Sequence, residues 1–510
     1  MGVLFFLSSG LFLGWSLGAN DAANVFGTAV GTRMIRFRSA AIICSIALVL
    51  GATISGSGAS HTLGSLGKVN ALAGAFTVAL SAALTVFWMT RLKLPVSTSQ
   101  AVVGAIIGWN FYSHSITNTG SLTKIVGSWV ICPILSAAFA MVLYVSIKTF
   151  IIKTKIHLLH VDNLTRVGLI LVGAFGSYSL GANNIANVMG VFVPSNPFND
   201  LQMGNYLTIT GTQQLFFIGA LAIAVGVFTY SERVMKTVGS GIMSLSPLSA
   251  FIVVLAQALV LFLFASEGLE RILYGMGLPT IPLVPVSSSQ AVVGAVIGIG
   301  LLKKGSGIRY KVLGEISIGW VSSPIIAGIV TFVALFFVDN VFNNEVNKKY
   351  EYRIEPIVLE AAKLENANHK DFNEILGVTY ENQTSMRNAI LSNVDLNESD
   401  IHQIIEMSRI GEYLVTDKGI NELEKSHWFT AEQIDALIRL KGERFCYNWQ
   451  LLGELANISN EWVIREENVE NKSWNRSLNE KSRRLLEVFS TVGQLHDSNN
   501  KVLEKRLGES

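Results

Sequence analysis

Charge is scarce in this chain: 15% of its 510 residues are Asp, Glu, Lys or Arg, against 50% that are hydrophobic. With a mean hydropathy of +0.43, that shortage excludes an ordinary water-soluble globule, in which about a quarter of residues are charged. Cysteine is scarcer still. Cys44, Cys132 and Cys446 are an odd number at no close spacing, and two of them sit in apolar runs, so neither a disulfide framework nor a zinc site is suggested. Acidic residues are nearly missing from residues 1–342, which hold 8 of them against 18 basic ones, whereas residues 343–510 hold 29 acidic and 21 basic. A net charge of +2 therefore hides two physically different parts.

The first part is rich in apolar runs near the length that crosses a ~30 Å hydrocarbon layer, about 20 residues of helix. They cover Val3 to Leu17, Ala40 to Ile54, Leu72 to Met89, Ile125 to Ile147, Val167 to Leu180, Leu215 to Thr229, Leu248 to Ala265 and Val312 to Val338. The first run lacks a basic start and flows into a polar cluster that recurs later, so it reads as a helix rather than a removable leader.

An internal repeat organises this part. Gly18-Ala19-Asn20-Asp21-Ala22-Ala23-Asn24-Val25 returns as Gly181-Ala182-Asn183-Asn184-Ile185-Ala186-Asn187-Val188, an offset of 163. His61 to Ser65 returns as Lys236 to Ser240, an offset of 175. Pro95-Val96-Ser97-Thr98-Ser99-Gln100-Ala101-Val102-Val103-Gly104 returns as Pro285-Val286-Ser287-Ser288-Ser289-Gln290-Ala291-Val292-Val293-Gly294, an offset of 190, and Trp129 with Pro133 returns as Trp320 with Pro324. Four blocks in one order mark a duplicated unit. The growing offset implies insertions in the second copy, one of them the polar stretch Pro194 to Thr212.

In hydrocarbon every backbone group needs a partner, so polar clusters embedded in apolar helices must line something polar. Glycine permits unusual backbone angles and proline removes an amide donor, so both motifs are expected to interrupt their helices. Freed carbonyls and half-helix amino ends would then bind cations and anions respectively. Duplicated halves with interrupted helices are the pattern of secondary transporters. A lone Gly-Ala-Asn in an apolar run reads as close helix packing, and a lone Ser/Thr cluster equally as helix-to-helix hydrogen bonding. Their paired recurrence, with the asparagines, the proline and the glutamine kept, points to a ligand site. Asp21 is ionisable within a span, where a functional role is the default. His61 and Glu232 read as structural or interfacial.

These residues carry a resemblance. Gly18 to Val25, Leu94 to Gly104, Arg233 to Gly239 and Leu283 to Gly294 resemble the signature segments of the inorganic phosphate transporter family, the sodium- or proton-coupled phosphate permeases. The resemblance covers about residues 1–340. It implies an all-α, polytopic membrane protein of two inverted-topology repeats, 1–160 and 161–342, with interrupted or re-entrant helices and a substrate site between two hairpin-like elements. It also implies a homodimer in the plasma (bacterial inner) membrane, surrounded by lipid, with no enzymatic activity and no nucleic-acid partner.

The chemistry agrees with that implication. A phosphate or sulfate ion is a tetrahedral oxyanion, and removing its water requires donors on all faces. Ser97, Thr98, Ser99 and Gln100 from one copy and Ser287, Ser288, Ser289 and Gln290 from the other supply hydroxyls and amides, with half-helix amides beneath them. By resemblance, Asn20 and Asn183 complete the cage. Asp21, Asn24, Asn184 and Asn187 offer hard oxygen ligands for Na⁺ as coupling ion, with H⁺ as the alternative, and no other cofactor is expected. The second copy has Asn184 where the family commonly repeats the aspartate, and Gln100 and Gln290 stand where many members have histidine. A neutral cage of this kind also suits sulfate, which stays open as the alternative substrate.

Basic residues favour the cytoplasmic side. Arg33, Arg36, Arg38, Lys148, Lys153, Lys155, Arg166, Arg233, Lys236, Lys303, Lys304, Arg309 and Lys311 fit one cytoplasmic face, which for an even number of crossings puts both ends of the membrane part outside. A cytoplasmic regulatory tail would need the opposite, so the side of residues 343–510 stays open. That tail reads as a soluble, mainly helical domain of unknown partner, with amphipathic helices expected over Ile354 to Glu365, Asp400 to Tyr413, Ala431 to Gly453 and Leu478 to Val488. Thr430 and Gln433 form a capping-box pattern, and Trp428, Trp449, Trp462 and Trp474 read as core or interface anchors. A channel, or a receptor or enzyme resting on the tail, are the competing classes. The repeat argues against the first, and the tail shows no catalytic constellation for the second.

Overall fold

The computed structural model describes residues 2–31, 33–91, 96–154, 157–203, 207–232, 235, 245–305, 309–362 and 372–491. Two compact units emerge. The first holds Met1–Ser113, Thr117–Phe198 and Ile209–Lys348, and the second holds His114–Ile116, Asn199–Thr208 and Lys349–Ser510.

In the first unit seven of the eight expected apolar runs lie wholly in helices, and the eighth, Leu248 to Ala265, passes the end of its helix by two residues. They fall in α1 (Gly2–Gly31), α2 (Phe37–Ser55), α4 (Leu72–Arg91), α6 (Thr119–Thr154), α7 (Leu158–Met189), α8 (Gly211–Thr229), α9 (Pro247–Leu263) and α12 (Tyr310–Asn340). Seven carry spans long and apolar enough to cross a membrane, and α9 joins α10 (Glu267–Gly275) in a pair bent by 73°. Shorter helices complete the unit: α3 (Ser57–Gly67), α5 (Thr98–Ser113) and α11 (Ser288–Leu302). Helices fill the unit because only helices satisfy every amide within a segment in an apolar surrounding.

Interruption occurs at only one of the two motifs expected to cause it. Ser97 and Ser287 immediately precede α5 and α11, Ser287 in an extended conformation, whereas α1 and α7 run unbroken through Gly18 to Val25 and Gly181 to Val188. The glycines there serve close approach instead. A methyl group on Gly18 would run into the Ile223 carbonyl of α8, and one on Gly181 into the Leu48 carbonyl of α2. These contacts are answered from the other side: Gly226 of α8 lies against the Trp15 carbonyl of α1, and Gly51 of α2 against the Tyr178 carbonyl of α7. Gly18 and Gly181 are 163 apart, as are Trp15 and Tyr178, while Gly51 and Gly226, like Leu48 and Ile223, are 175 apart. The same exchange joins Gly104 of α5 to Pro324 of α12 and Gly294 of α11 to Pro133 of α6. Each of these four seams therefore joins one sequence copy to the other.

The two ends of the unit share a face. Phe5 stacks on Phe76 at 5.3 Å between centroids, so the start of α1 lies beside the start of α4. Asn70, just before α4, pairs with the backbone of Lys348 in both directions at 2.9 and 3.1 Å. Arg33 and Arg36 follow the far end of α1, and Arg38 lies in the first turn of α2. Lys148 of α6 and Lys303 after α11 both approach the Tyr144 ring, at 5.6 and 5.9 Å.

The second unit is mixed rather than purely helical. Its helices are α13 (Pro356–Ala362), α14 (Gln383–Asn393), α15 (Glu398–Met407), α16 (Asp417–Lys425), α17 (Ala431–Arg439), α18 (Asn448–Ile458) and α19 (Lys472–Phe489). Three two-stranded sheets pair β1 (Leu201–Met203) with β2 (Leu207–Ile209), β3 (Tyr352–Arg353) with β4 (Thr379–Tyr380), and β5 (Ile410–Leu414) with β6 (Arg444–Tyr447). The helix expected over Asp400 to Tyr413 stops at Met407 and becomes β5, and the one over Ala431 to Gly453 is split by β6. Thr430 does cap α17: its Oγ1 accepts from Gln433 N at 3.2 Å and its N donates to Gln433 Oε1 at 3.1 Å. Trp462 is buried and donates to Gln433 O, while Trp449 donates to Met407 O and Trp474 to Val463 O.

The glycine seams make a direct prediction. Gly104→Val or Gly294→Val is expected to destabilise the protein by about 1–3 kcal/mol through overpacking, read as a lowered Tm of the purified protein in detergent. Gly127→Val, where an added carbon meets nothing within 4 Å, should change stability by less than about 0.5 kcal/mol. Equal Tm values for all three would remove the seams from the packing argument.

Candidate functional site

The two Pro-Val-Ser motifs build matching helix starts. Ser97 Oγ accepts from Gln100 N at 3.3 Å, and Ser287 Oγ accepts from Gln290 N at the same 3.3 Å, so each first serine caps the helix that follows. Leu94 and Pro95 lie outside the described residues. The two tips meet: Ser99 Oγ donates to Val286 O at 3.3 Å. Two helix amino ends, each carrying partial positive charge, thus converge from opposite copies of the repeat.

The stretch that leads into α11 is held by side chains. Asn183 is fully buried and spends both ends of its amide on this stretch, Oδ1 accepting from Val286 N at 3.1 Å and Nδ2 donating to Val284 O at 3.3 Å. Thr62 Oγ1 donates to Leu283 O at 2.7 Å, and Val284 N donates to Phe264 O at 3.1 Å. The Asn183 amide, expected to cage an anion, is engaged by backbone. Its counterpart Asn20 turns back on α1 and donates to Ser16 O at 2.9 Å.

Asp21 ties the tips together. Its Oδ2 accepts from Ser288 Oγ at 2.7 Å and from Asn184 Nδ2 at 3.1 Å. Asn24 Nδ2 reaches Ser288 Oγ at 3.5 Å. Asn187 Nδ2 donates to Asn184 Oδ1 at 3.3 Å and to Ser99 Oγ at 2.8 Å. One continuous chain therefore runs Ser99, Asn187, Asn184, Asp21, Ser288 and Asn24, crossing α5, α7, α1 and α11. All four residues expected to bind a cation belong to it. Ser287 and Ser289 share a hydroxyl contact at 2.9 Å, and Thr98, at the first position of α5, is partly exposed. Gln100 and Gln290 are buried to within 3% and 2%, and the Oε1 of each has no partner among the described residues.

Some of the setting was not evident from residue types. Ser136 Oγ of α6 donates to Ala291 O at 2.7 Å, and Cys132 Sγ lies 3.8 Å from Ser287 O, so α6 backs the second tip. The indole Nε1 atoms of Trp129 and Trp320, marks of the repeat, are buried without a partner among the described residues. His61 and Glu232 are exposed. Arg233 and most of the segment to Ser240 lie outside the described residues. Among the described residues no three His, Cys, Asp or Glu side chains cluster as a metal site, so what gathers here is one carboxylate with neutral amides and hydroxyls. Such oxygen donors suit a hard cation rather than a soft transition metal.

Known proteins bear on this arrangement. A model of the phosphate transporter family matches residues 17–270 and 276–493. The "Putative phosphate permease" of Methanocaldococcus jannaschii is 31% identical over 323 residues, covering 63% of this chain and 93% of that protein. A protein of the same description from Pyrococcus abyssi is 25% identical over 406 residues, covering 65% and 96%. A solved structure described as the sodium-dependent phosphate transporter superposes with a TM-score of 0.52 at 22% identity, over 66% of this chain and 99% of that one, and so shares its fold. This multi-pass membrane chain belongs to the phosphate transporter family.

Proposed function

We propose that this protein is a secondary active symporter that carries inorganic phosphate with Na⁺ by alternating access, built as two inverted repeats. The observation that carries the reading is the hydrogen-bonded chain from Ser99 to Asn24, which couples one carboxylate to both helix tips. The names of the relatives support phosphate as substrate, and the sodium dependence of the solved neighbour supports Na⁺.

The geometry suggests how the two ions help each other. Without a cation, the Asp21 carboxylate holds the Ser288 hydroxyl and the Asn184 amide as donors. A cation on the carboxylate takes over that charge. Ser288 then turns a lone pair to the ion and its proton outward, and Asn184 presents Oδ1 in place of Nδ2. The released O–H, the capped amino ends of α5 and α11 and the amides of Gln100 and Gln290 become donors for the oxyanion. Each ion then raises the other's affinity by the same factor. The pairs α5 with α12 and α6 with α11, each locked at a glycine, are the bodies that move against α1, α2, α7 and α8. By the charge rule, Arg33, Arg36, Arg38, Lys148 and Lys303 belong on the cytoplasmic side.

Labelled phosphate uptake into proteoliposomes tests this directly. Uptake is expected to follow an imposed Na⁺ gradient and to resist unlabelled sulfate. Uptake that follows a pH gradient alone, or that sulfate abolishes, would replace the ion or the substrate. Asp21→Asn should lower cation-driven uptake by about 10- to 100-fold; unchanged uptake would end its role. Ser97→Ala with Ser287→Ala removes two hydroxyls, each worth about 1.5–3 kcal/mol to a charged partner. The half-saturating phosphate concentration should therefore rise by about 100-fold or more, and an unaltered value would refute the cage.

A further inference from the structure

Gln257 lies in the apolar helix α9, and its carboxamide is one of the most isolated polar groups in the protein. It is 1% exposed, and neither Oε1 nor Nε2 has a partner among the described residues. Burying an amide with neither end bonded is costly, so natural proteins rarely do it without a use.

Its direction follows from its neighbours. Ile252, Val253 and Ala256 pack with Ala295, Val296 and Ile299 of α11. Val254 and Ala258 face α7, where a methyl on Gly176 would stand 3.6 Å from each and 3.1 Å from Val25 of α1. At 100° per residue, Gln257 falls between these two faces, opposite the partly exposed Leu255, Leu259 and Phe262. It therefore points between α11 and α7, on the side where Val25 of α1 approaches Gly176. The residue adjacent to Val25, Asn24, reaches Ser288.

The repeat adds an independent mark. Ala75-Phe76-Thr77-Val78-Ala79-Leu80-Ser81-Ala82-Ala83-Leu84 aligns with Ala250-Phe251-Ile252-Val253-Val254-Leu255-Ala256-Gln257-Ala258-Leu259 at the offset of 175 already seen between α2 and α8. Gln257 stands where the first copy has Ala82. The second copy thus lacks the carboxylate at Asn184 and carries an extra buried amide at Gln257.

We infer that Gln257 is a ligand of the coupling cation, its Oε1 supplying a neutral oxygen beside Asp21 and Asn24. This rests on the symport reading above. A hard cation takes several oxygen ligands, and an amide oxygen adds one without a second negative charge next to the phosphate. The position sets selectivity for Na⁺ against H⁺, since an amide cannot hold a proton in this range.

The test uses full-length protein in detergent, with Tm followed against NaCl at constant ionic strength in choline chloride. A bound ion stabilises the folded state, so Na⁺ should raise the wild-type Tm. Gln257→Ala, which restores the residue of the first copy, should raise the half-effective Na⁺ concentration by about tenfold, with the phosphate response at saturating Na⁺ unchanged. Gln257→Glu, which keeps the side-chain size, should lower it. Equal half-effective Na⁺ in all three proteins would overturn the assignment while leaving symport standing. A defect confined to phosphate would also overturn it, placing the amide on the anion instead. A wild-type Tm blind to Na⁺, with no Na⁺-driven uptake in proteoliposomes, would sink the symport reading as well.

Discussion

A chain that leaves a helix inside an apolar bundle must find new partners for every amide and carbonyl it frees, at a cost of several kcal/mol for each one left bare. The stretch before α11 meets that demand with side chains from distant helices: Thr62 on Leu283, Asn183 on Val284 and Val286, and Ser99 on Val286. Much of the polar content of the motifs is thereby accounted for. Asn183, a residue type that could meet an anion, spends both ends of its amide on the backbone leading into α11.

What remains is arranged around a single carboxylate. Asp21 is answered by a hydroxyl from α11 and an amide from α7, and through Asn187 it is linked to the tip of α5. The two tips carry the same cap, with the same serine-to-amide spacing, so the local design is doubled. The charge is not. One copy contributes Asp21 and the other Asn184, so the doubled framework holds a single carboxylate.

The spans and the duplication were legible in the sequence because both rest on simple regularities: apolar length for the first, matched blocks in one order for the second. The starts of α5 and α11 followed from proline and serine chemistry. The expected breaks at Gly18 and Gly181 did not occur, because a glycine's missing side chain can serve packing as well as bending, and only the neighbouring carbonyls of Ile223 and Leu48 decide between them. In the tail, apolar residues at three- and four-residue spacing continued past Met407 while the chain itself changed from α15 to β5. Gln257 was invisible among apolar residues, since a lone amide has no period. Its meaning depends on which helices surround it.

The crossed glycine seams also bear on how the protein is made. α1 finds its backbone partner in α8, and α5 finds its own in α12, so during synthesis α1 waits for residues 211–229 and α5 for residues 310–340. Until then Gly18 and Gly104 lack the carbonyls that later lie against them, and the polar groups of Asp21 and Asn24 lack the serine and amide that later receive them. Until its partner is made, each early helix must be held apart in the bilayer or sheltered by the insertion machinery. Assembly is spread along synthesis, the seam of α2 with α7 closing first and that of α5 with α12 last.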